Sequence, residues 1–261
     1  MTAGLDLRDT AKRCIVYTAW GEASINQAAR SARTTEFLRV ERCLITNEES
    51  LEFVEPGAPF ERILKLQFKL PGLLAKTEVF DLLPPEYNSF ALLDADTWIL
   101  LDIMQGYERA EKFGMAAAPA PHYSLDGFWG FKAALDRFGF LSRDILQYNS
   151  GVLFFTRTPK VWEVLKKWHE LCASAASNFS QDQPPVFLND QPYLTLAMEL
   201  LAFNPYTLSI AYNYRNVGEL VSGKIRIWHS RTQPPADVNA FEPTWPNPHR
   251  FRNGKRLQEV E

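Results

Sequence analysis

Short apolar runs alternate with helical patterns along the first half of the chain, and this alternation limits the fold more than any other feature of the sequence. The runs are rich in β-branched and aromatic residues, as buried strands are, and helical patterns at 22–37 and 71–83 lie between them. This β-α-β-α order predicts an α/β fold with a mostly parallel, twisted sheet and helices on both faces. The predicted strands of this half are 14–18, 40–46, 63–68, 90–93 and 115–118.

The pattern changes after about residue 119, where a loop rich in aromatic residues and glycine begins. Predicted strands follow at 147–155, 207–211 and 224–228, and predicted helices at 159–173 and 190–201. From residue 233 onward the chain is rich in proline and aperiodic, which predicts a strap across the surface rather than a separate domain. We therefore expect a single domain over residues 1–261.

The composition is that of an ordinary globular protein, with 46% hydrophobic and 23% charged residues. A formal charge of −3 without a long basic run excludes a general attraction for nucleic acid or anionic lipid. The three cysteines lie far apart without CxxC spacing, which favours a reducing cytoplasm over a disulfide framework or a zinc cluster. Since the sequence also lacks a signal peptide and a run of ~18–20 apolar residues, we expect a soluble cytoplasmic protein without a transmembrane segment.

Two carboxylates separated by one residue follow the predicted strand at 90–93. Ligands of open α/β sheets bind beyond the carboxyl ends of the strands, where we expect Asp94 and Asp96 to emerge. Alternate residues of an extended chain point the same way, so both carboxylates can converge on one cation. Mg²⁺ and Mn²⁺ accept such ligands and complete their coordination with substrate phosphates. The pattern indicates a diphosphate-binding site; the alternative is that the two acids only end a strand and start a turn.

A more specific signal comes from segments that follow one another in a fixed order. The leading strand at 14–18 is followed by Leu-Leu-Asp-Ala-Asp-Thr at 92–97, a strand containing Asn-Ser-Gly at 149–151, Asn-Asp-Gln at 189–191 and a late histidine at 229. Over roughly residues 13–231 the sequence thereby resembles the GT-A glycosyltransferases, and most closely their family 8. The resemblance implies a GT-A fold with a nucleotide-binding half at 13–118, an acceptor- and sugar-binding half at 119–231 and a tail at 232–261.

The resemblance implies a metal site. Asp94 and Asp96 would bind a divalent cation, with His229 as the third protein ligand. An imidazole beside two carboxylates suits Mn²⁺ better than Mg²⁺, because Mn²⁺ is the more borderline ion. The alternative for His229 is a packed or exposed histidine that binds nothing.

The resemblance also implies residues that bind a nucleotide sugar. The end of the first strand would hold the base by a ring contact and by backbone hydrogen bonds, while Lys76 and cations near the late histidine, including Arg226, would face the donor or its diphosphate. Each of these can instead be a plain strand end, a solvated helix lysine or a surface charge. The implied donor-binding set is Tyr17, Thr18, Ala19, Lys76, Asp94, Ala95, Asp96, Asn149, Lys224 and Arg231.

Asp190 and Gln191 are the implied catalytic residues, because the resemblance places them near the anomeric carbon of the donor sugar. Short polar groups on rigid element ends can fix a sugar that presents its hydroxyls in fixed directions. Asn189 and Asp190 also fit a helix N-cap, and both roles can coexist. A nearby aromatic loop fits a sugar-stacking surface as well as a small core under the loop. Its residues are His122, Tyr123, Asp126, Phe128 and Trp129.

The expected function is therefore that of a glycosyltransferase of the hexosyltransferase kind (EC 2.4), which uses a nucleotide-sugar donor, by default UDP-linked, and retains the anomeric configuration. The acceptor would be a carbohydrate, a protein or a lipid-linked molecule. One alternative is a sugar-1-phosphate nucleotidylyltransferase, but the stretch at 19–24 has a single glycine and no adjacent basic residue, unlike the Gly-rich loop of those enzymes. The other is a non-catalytic carbohydrate-binding protein of the same fold, against which the intact aspartate pair and His229 argue.

Overall fold

A seven-stranded sheet forms the centre of the computed structural model, which describes residues 12–120, 136, 139, 145–178, 188–240 and 248–257. The strands along the described chain are β1 (Arg13–Thr18), β2 (Glu41–Thr46), β3 (Arg62–Lys65), β4 (Ser89–Leu93), β5 (Thr97–Ile99), β6 (Met115–Pro119), β7 (Tyr148–Thr156), β8 (Tyr206–Thr207), β9 (Tyr214–Arg215), β10 (Ile227–His229), β11 (Phe251–Arg252) and β12 (Lys255–Arg256). The large sheet has the order β3-β2-β1-β4-β7-β6-β8. Its strand pairs are parallel except those of β7, which runs antiparallel to both β4 and β6.

Helices cover both faces of this sheet, as the sequence predicted. They are α1 (Glu22–Arg33), α2 (Met104–Phe113), α3 (Pro159–Ser177) and α4 (Gln191–Leu200). Side chains of a strand alternate between the faces, so Cys14 and Val16 of β1 pack in the core shared with α3 and α4. Ile15 and Tyr17 point the other way, into the core shared with α1 and α2. The fold-class prediction is confirmed.

The segment predicted as a helix at 71–83 is helical in a different form. It consists of two 3-10 helices, Gly72–Glu78 and Phe80–Leu82. The Thr77 hydroxyl donates to the carbonyl of Leu74 at 2.8 Å, and such a side-chain bond competes with a regular α-helical ladder. The prediction at 22–37 was too long for a related reason, because Thr34 and Thr35 bond back to the carbonyls of the last turn and α1 ends at Arg33.

A second, three-stranded sheet lies beside the first, with the order β5-β10-β9. Strand β10 is antiparallel to β5 and parallel to β9. It begins at Ile227, three residues later than predicted. Of the strand predicted at 207–211, only Thr207 lies in a strand, which is the two-residue β8. The Ser209 hydroxyl accepts from the backbone N–H of Ala211 and starts a 3-10 turn, which explains the early end of that strand.

The C-terminal tail does more than cross the surface. Strands β11 and β12 form a hairpin, and Phe251 of this hairpin is fully buried against Tyr214 and Trp228. Val238, earlier in the tail, belongs to the same small core. The tail therefore stabilises the second sheet through buried aromatic contacts, which its aperiodic sequence did not predict.

The predicted aromatic loop with His122, Tyr123, Asp126, Phe128 and Trp129 lies outside the described residues. Within the described ranges, no helix combines the length and the apolar character that a membrane span requires.

Candidate active site

A cleft of about 590 Å³ opens where β1 and β4 end and α4 begins. Its position at the carboxyl ends of parallel strands is the usual ligand site of an open α/β sheet. Most of the residues that the sequence singled out line it. These are Thr18, Ala19, Lys76, Asp94, Ala95, Asp96, Asn149, Asp190, Gln191, His229 and Arg231.

A tight turn after β4 places the two aspartates at the bottom of the cleft. The backbone N–H of Asp94 donates to the carbonyl of Gly151 on β7 at 2.8 Å. The backbone N–H and the hydroxyl of Thr97 both donate to the carbonyl of Asp94, at 3.2 and 2.8 Å, and close the turn into β5. The backbone at both ends of the Asp-Ala-Asp segment is therefore held in place.

The register of the second sheet brings His229 to the aspartates from more than a hundred residues away. His229 pairs with Thr97 in the antiparallel ladder of β5 and β10, so it lies beside the residue that follows Asp96. The N–H of Ser230 also donates to the carbonyl of Asp96 at 3.0 Å. Because His229 is 2% exposed, its ring is confined to this position.

Asp94, Asp96 and His229 form a compact group. The Nε2 atom of His229 lies 3.1 Å from Oδ1 of Asp96 and 3.5 Å from Oδ2 of Asp94. One ligand atom from each residue lies within 4.8 Å of the others. Two carboxylate oxygens and one imidazole nitrogen suit Mn²⁺ or a similar divalent ion, and the two aspartates are partly open to the cleft, where further ligands can come from a substrate. The donor set therefore fits a divalent cation.

The aspartate beside the histidine is held in its ionised form. Burial alone would oppose ionisation of Asp96, but the hydrogen bond and the positive charge that His229 supplies when its ring is protonated, together with the charge of Arg215, outweigh it and lower the pKa of this carboxyl. Asp96 is thus a carboxylate at neutral pH, as a metal ligand must be.

A buried lysine connects Asp94 to Asp190, one of the two predicted catalytic residues. The Nζ atom of Lys76 lies 2.5 Å from Oδ1 of Asp94 and 3.5 Å from Oδ2 of Asp190. Burial disfavours the charged ammonium, but the carboxylates of Asp190 and Asp94 outweigh this effect and raise the pKa of Lys76. Lys76 is therefore a charged group between two acids and not a solvated helix lysine.

Asp190 is 1% exposed and lies at the start of α4. It occupies the N-cap position, but its side chain makes no capping hydrogen bond; Oδ1 of Asn189 accepts from the N–H of Gln191 at 3.0 Å instead. The indole of Trp168 donates to the backbone carbonyl of Asp190 at 2.9 Å and fixes its position. Burial raises the pKa of Asp190, while the charge of Lys76 opposes this shift. The Asp190 side chain is thus not used as a cap, and it lines the cleft beside Lys76.

Two predicted donor-binding residues do not reach the cleft. The Tyr17 ring is fully buried in the core below α1, where its hydroxyl accepts from Ser31 at 3.1 Å, because β1 turns this side chain away from the neighbouring Thr18. The expected ring contact with a base therefore does not fit this structure. Lys224 is exposed and lies outside the cleft. Arg226, also considered, donates to the carbonyl of Asp102 at 2.5 Å, on another side of the second sheet.

Sequence reasoning missed several residues that line the cleft. Trp20 packs its ring against Phe68 with centroids 4.8 Å apart, and Ser24 and Gln27 follow it on α1. Trp20 is the aromatic residue next to Ala19, so a search for aromatic rings beyond the strand end would have found it. Arg215 extends a guanidinium nitrogen to 3.5 Å from Nε2 of His229. Arg215 gave no signal, because β9 has only two residues and no periodic pattern.

We compared the chain with known proteins. Neither a protein-family model nor a curated protein sequence matches it. Among solved structures, the crystal structure of mouse xyloside xylosyltransferase 1 in its apo form is similar, with 14% identity and a TM-score of 0.55 over 85% of this chain and 99% of that one. The galactosyltransferase LgtC, crystallised with donor and acceptor sugar analogues, is also similar, with 12% identity and a TM-score of 0.53 over 77% of this chain and 75% of that one. At these identities the similarity shows the fold, and this protein has the GT-A fold of those glycosyltransferases.

Proposed function

We propose that this protein is a metal-dependent glycosyltransferase that moves a sugar from a nucleoside-diphosphate sugar, by default a UDP-sugar, to a hydroxyl group of an acceptor. The observation that carries the proposal is the group formed by Asp94, Asp96 and His229 at the strand ends, inside a cleft large enough for a substrate. The two similar structures, a xylosyltransferase and a galactosyltransferase, support it. So does the resemblance of the motifs to glycosyltransferase family 8.

The positive groups of the cleft suit a diphosphate leaving group. A divalent cation bound by Asp94, Asp96 and His229 would neutralise the charge that develops on the diphosphate as the sugar bond breaks. Arg215 and Arg231 line the same cleft and can bind phosphate oxygens directly. Because the aspartates repel a diphosphate, we expect tight donor binding only when a cation is present.

The sugar would lie between the metal-binding group and the start of α4. Asp190 and Gln191 line this part of the cleft, and Lys76 holds the Asp190 side chain within 3.5 Å. A carboxylate fixed in this way can orient the sugar and stabilise positive charge at the anomeric carbon. Following the family 8 resemblance, we propose retention of configuration, with Asp190 and Gln191 as the residues that face the reacting sugar.

The acceptor would enter through the open part of the cleft, which carries apolar side chains. Leu73 and Val217 both line the cleft and are 53% and 43% exposed. Aliphatic side chains at a sugar-binding cleft can pack on the ring face of an acceptor sugar or on its aglycone.

The experiment that tests this function is donor hydrolysis and transfer with a panel of nucleotide sugars, in the presence of Mn²⁺ or of a chelator. We expect release of nucleoside diphosphate only with the metal, and loss of turnover by at least about 100-fold in Asp96→Asn. Asp81→Asn, at an exposed position outside the cleft, is the matched control and should leave turnover unchanged. The anomeric configuration of the product is read by NMR.

Three results would contradict the proposal. Equal donor binding with and without chelator would show that donor binding does not depend on a metal. Formation of a nucleotide sugar from nucleoside triphosphate and sugar 1-phosphate would favour a nucleotidylyltransferase. Saturable sugar binding without any turnover of the panel would favour a non-catalytic carbohydrate-binding protein.

A further inference from the structure

We infer that Asn149 and Asn213 form a hydrogen-bond relay that sets the tautomer of His229, so that Nδ1 carries a proton and Nε2 is the nitrogen offered to a cation. Asn149 and Asn213 are thereby positioning residues of the metal-binding group. The inference deepens the proposed function and rests on it where the cation is concerned. The hydrogen-bond pattern itself depends only on the protein.

The relay begins at a donor whose identity is beyond question. The backbone N–H of Gly151 can only donate, and it points at a side-chain atom of Asn149 at 2.9 Å. That atom must therefore be the carbonyl oxygen Oδ1 and not the amide nitrogen. This contact fixes the orientation of the Asn149 amide.

The second step passes this orientation to Asn213. The same Oδ1 atom of Asn149 lies 2.8 Å from the side-chain amide of Asn213. Because two carbonyl oxygens repel, the Asn213 atom at this contact must be Nδ2, which donates. The Oδ1 atom of Asn213 consequently faces away from Asn149 and accepts from another group.

The third step reaches the histidine. The Oδ1 atom of Asn213 lies 2.7 Å from Nδ1 of His229. An amide oxygen only accepts, so Nδ1 must carry the proton. When the ring is protonated on both nitrogens, Nε2–H donates to Asp96, 3.1 Å away. When the ring is neutral, Nε2 is the nitrogen with the free lone pair, and it faces Asp94 and Asp96 where a cation would take the place of that proton.

Burial makes the relay specific. Asn149, Asn213 and His229 are only 4%, 1% and 2% exposed, so water does not replace a lost partner. Turning either amide by 180° would place two donors or two acceptors against each other, which is costly where no water is available. In known metal sites, a hydrogen bond to the second ring nitrogen likewise fixes the orientation of the ligating histidine.

The relay also changes the role of Asn149. Sequence reasoning placed this residue in the donor-binding set, and it does line the cleft. Its carbonyl oxygen, however, accepts from both Gly151 and Asn213, so only its amide nitrogen remains for a ligand. Asn213 does not line the cleft and acts only through His229.

The first test reads the tautomer in the metal-free protein. The protein has four histidines, which can be labelled with ¹⁵N. Long-range ¹H–¹⁵N correlations, recorded at a pH where the ring of His229 is neutral, show which ring nitrogen carries the proton. We expect wild-type His229 to carry its proton on Nδ1. A neutral wild-type ring with its proton on Nε2 and none on Nδ1 would overturn the inference, whether or not the protein is a glycosyltransferase.

The second test compares three substitutions of asparagine. Asn213→Asp loses the donor to Asn149 but keeps an acceptor for Nδ1, so the Nδ1 proton should remain. Asn213→Leu removes this acceptor, so the proton should no longer be confined to Nδ1. Asn239→Leu is the matched control, since Asn239 bonds both backbone groups of Ile225 and lies outside the cleft. An unchanged His229 spectrum in a folded Asn213→Leu protein would overturn the inference.

The third test measures Mn²⁺ affinity directly, by titration calorimetry without a nucleotide. We expect Asn213→Leu to weaken binding by about 10–100-fold, and Asn239→Leu to leave it within about twofold. Equal affinities of Asn213→Leu and the control would contradict a positioning role. If wild-type protein binds no Mn²⁺ at all, the proposed metal-dependent function fails, and the tautomer measured in the first test still decides the relay.

Discussion

The Cε1 atom of His229 lies only 2.2 Å from the position that a Cβ atom on Gly151 would take. The same position is 2.6 Å from Oδ2 of Asp94. Real Cβ atoms do not approach other atoms so closely, so the ring and the carboxylate can meet at this point of β7 only because residue 151 has no side chain. The Asn-Ser-Gly motif thereby contributes space to the proposed cation site of Asp94, Asp96 and His229, as well as the backbone N–H that starts the relay.

We predict that Gly151→Ala folds but loses metal binding. The added methyl group must displace His229 or Asp94, and both are ligands of the proposed cation. Mn²⁺ affinity should fall by about 100-fold, because the overpacking strain falls on the two ligands, while the far-UV circular dichroism spectrum stays that of the wild type. Gly57→Ala has no atom within 4 Å of its Cβ and serves as a control for glycine replacement, although its positive φ of 80° adds some strain. Full Mn²⁺ affinity in Gly151→Ala would contradict the close packing.

A second prediction concerns the buried ion pairs of Lys76. Replacing Lys76 with Met leaves the buried carboxylate of Asp190 without its cation, and breaking a buried pair in this way typically costs about 3–5 kcal/mol. We expect the free energy of unfolding of Lys76→Met to fall by that order in urea titrations. The double variant Lys76→Met/Asp190→Asn should recover most of the loss, because the unpaired charge is gone. If the double variant is no more stable than the single one, Lys76 does not stabilise the fold through Asp190.

Much of this fold and part of this site follow from the sequence. The apolar runs gave the strands of the large sheet, and the position of Asp94 and Asp96 after a buried strand placed them at the ligand edge. The period of a strand shows which side chains share a face, but it does not show which face borders a cleft. Tyr17 and Thr18 were therefore predicted together at the end of β1, but the structure buries the ring of Tyr17 and places Thr18 in the wall of the cleft.

The rest of the site depends on long-range pairing, which leaves no local pattern. Arg215 and Asn213 reach the site because the two-residue strand β9 pairs with β10, and a strand so short has no readable periodicity. The register that sets His229 opposite Thr97 is likewise a property of two distant segments. Only the resemblance to a family indicated His229, and the structure confirms that this residue lies beside both aspartates.

A third prediction tests Arg215 as a phosphate-binding residue. A guanidinium nitrogen of Arg215 lies 3.5 Å from Nε2 of His229. A diphosphate bound to a cation at Asp94, Asp96 and His229 would therefore lie close enough to Arg215 for a direct hydrogen bond. We expect Arg215→Ala to weaken UDP binding in the presence of Mn²⁺ by about 10-fold or more and UMP binding much less, because UMP lacks the second phosphate. Arg33→Ala, at an exposed position away from the cleft, is the control. Equal losses for UDP and UMP would place Arg215 elsewhere on the ligand.

The last prediction concerns Glu219, which holds the backbone of Arg215. Its Oε2 atom accepts from the N–H of Arg215 at 2.7 Å. Burial raises the pKa of Glu219 from 4.5 to about 7, and the hydrogen bond and charge of Arg215 only partly oppose this shift. The folded protein therefore binds this proton more tightly than the unfolded chain does. The associated stability is fully present below pH 4.5 and is lost as the pH rises through about 7.

Glu219→Gln keeps a side-chain acceptor for Arg215 and removes the titration. We expect the variant to match the wild type near pH 5 and to exceed its free energy of unfolding at pH 8 by about 1–2 kcal/mol, since partial exposure of Glu219 screens the full effect. Burial also lowers the pKa of His249. This histidine is present in both proteins, so its contribution cancels in the difference between their free energies of unfolding. Urea titrations of the two proteins at pH 5, 6, 7 and 8 measure this difference in the free energy of unfolding. A stability difference that stays constant over this range would mean that Glu219 ionises normally in the folded state.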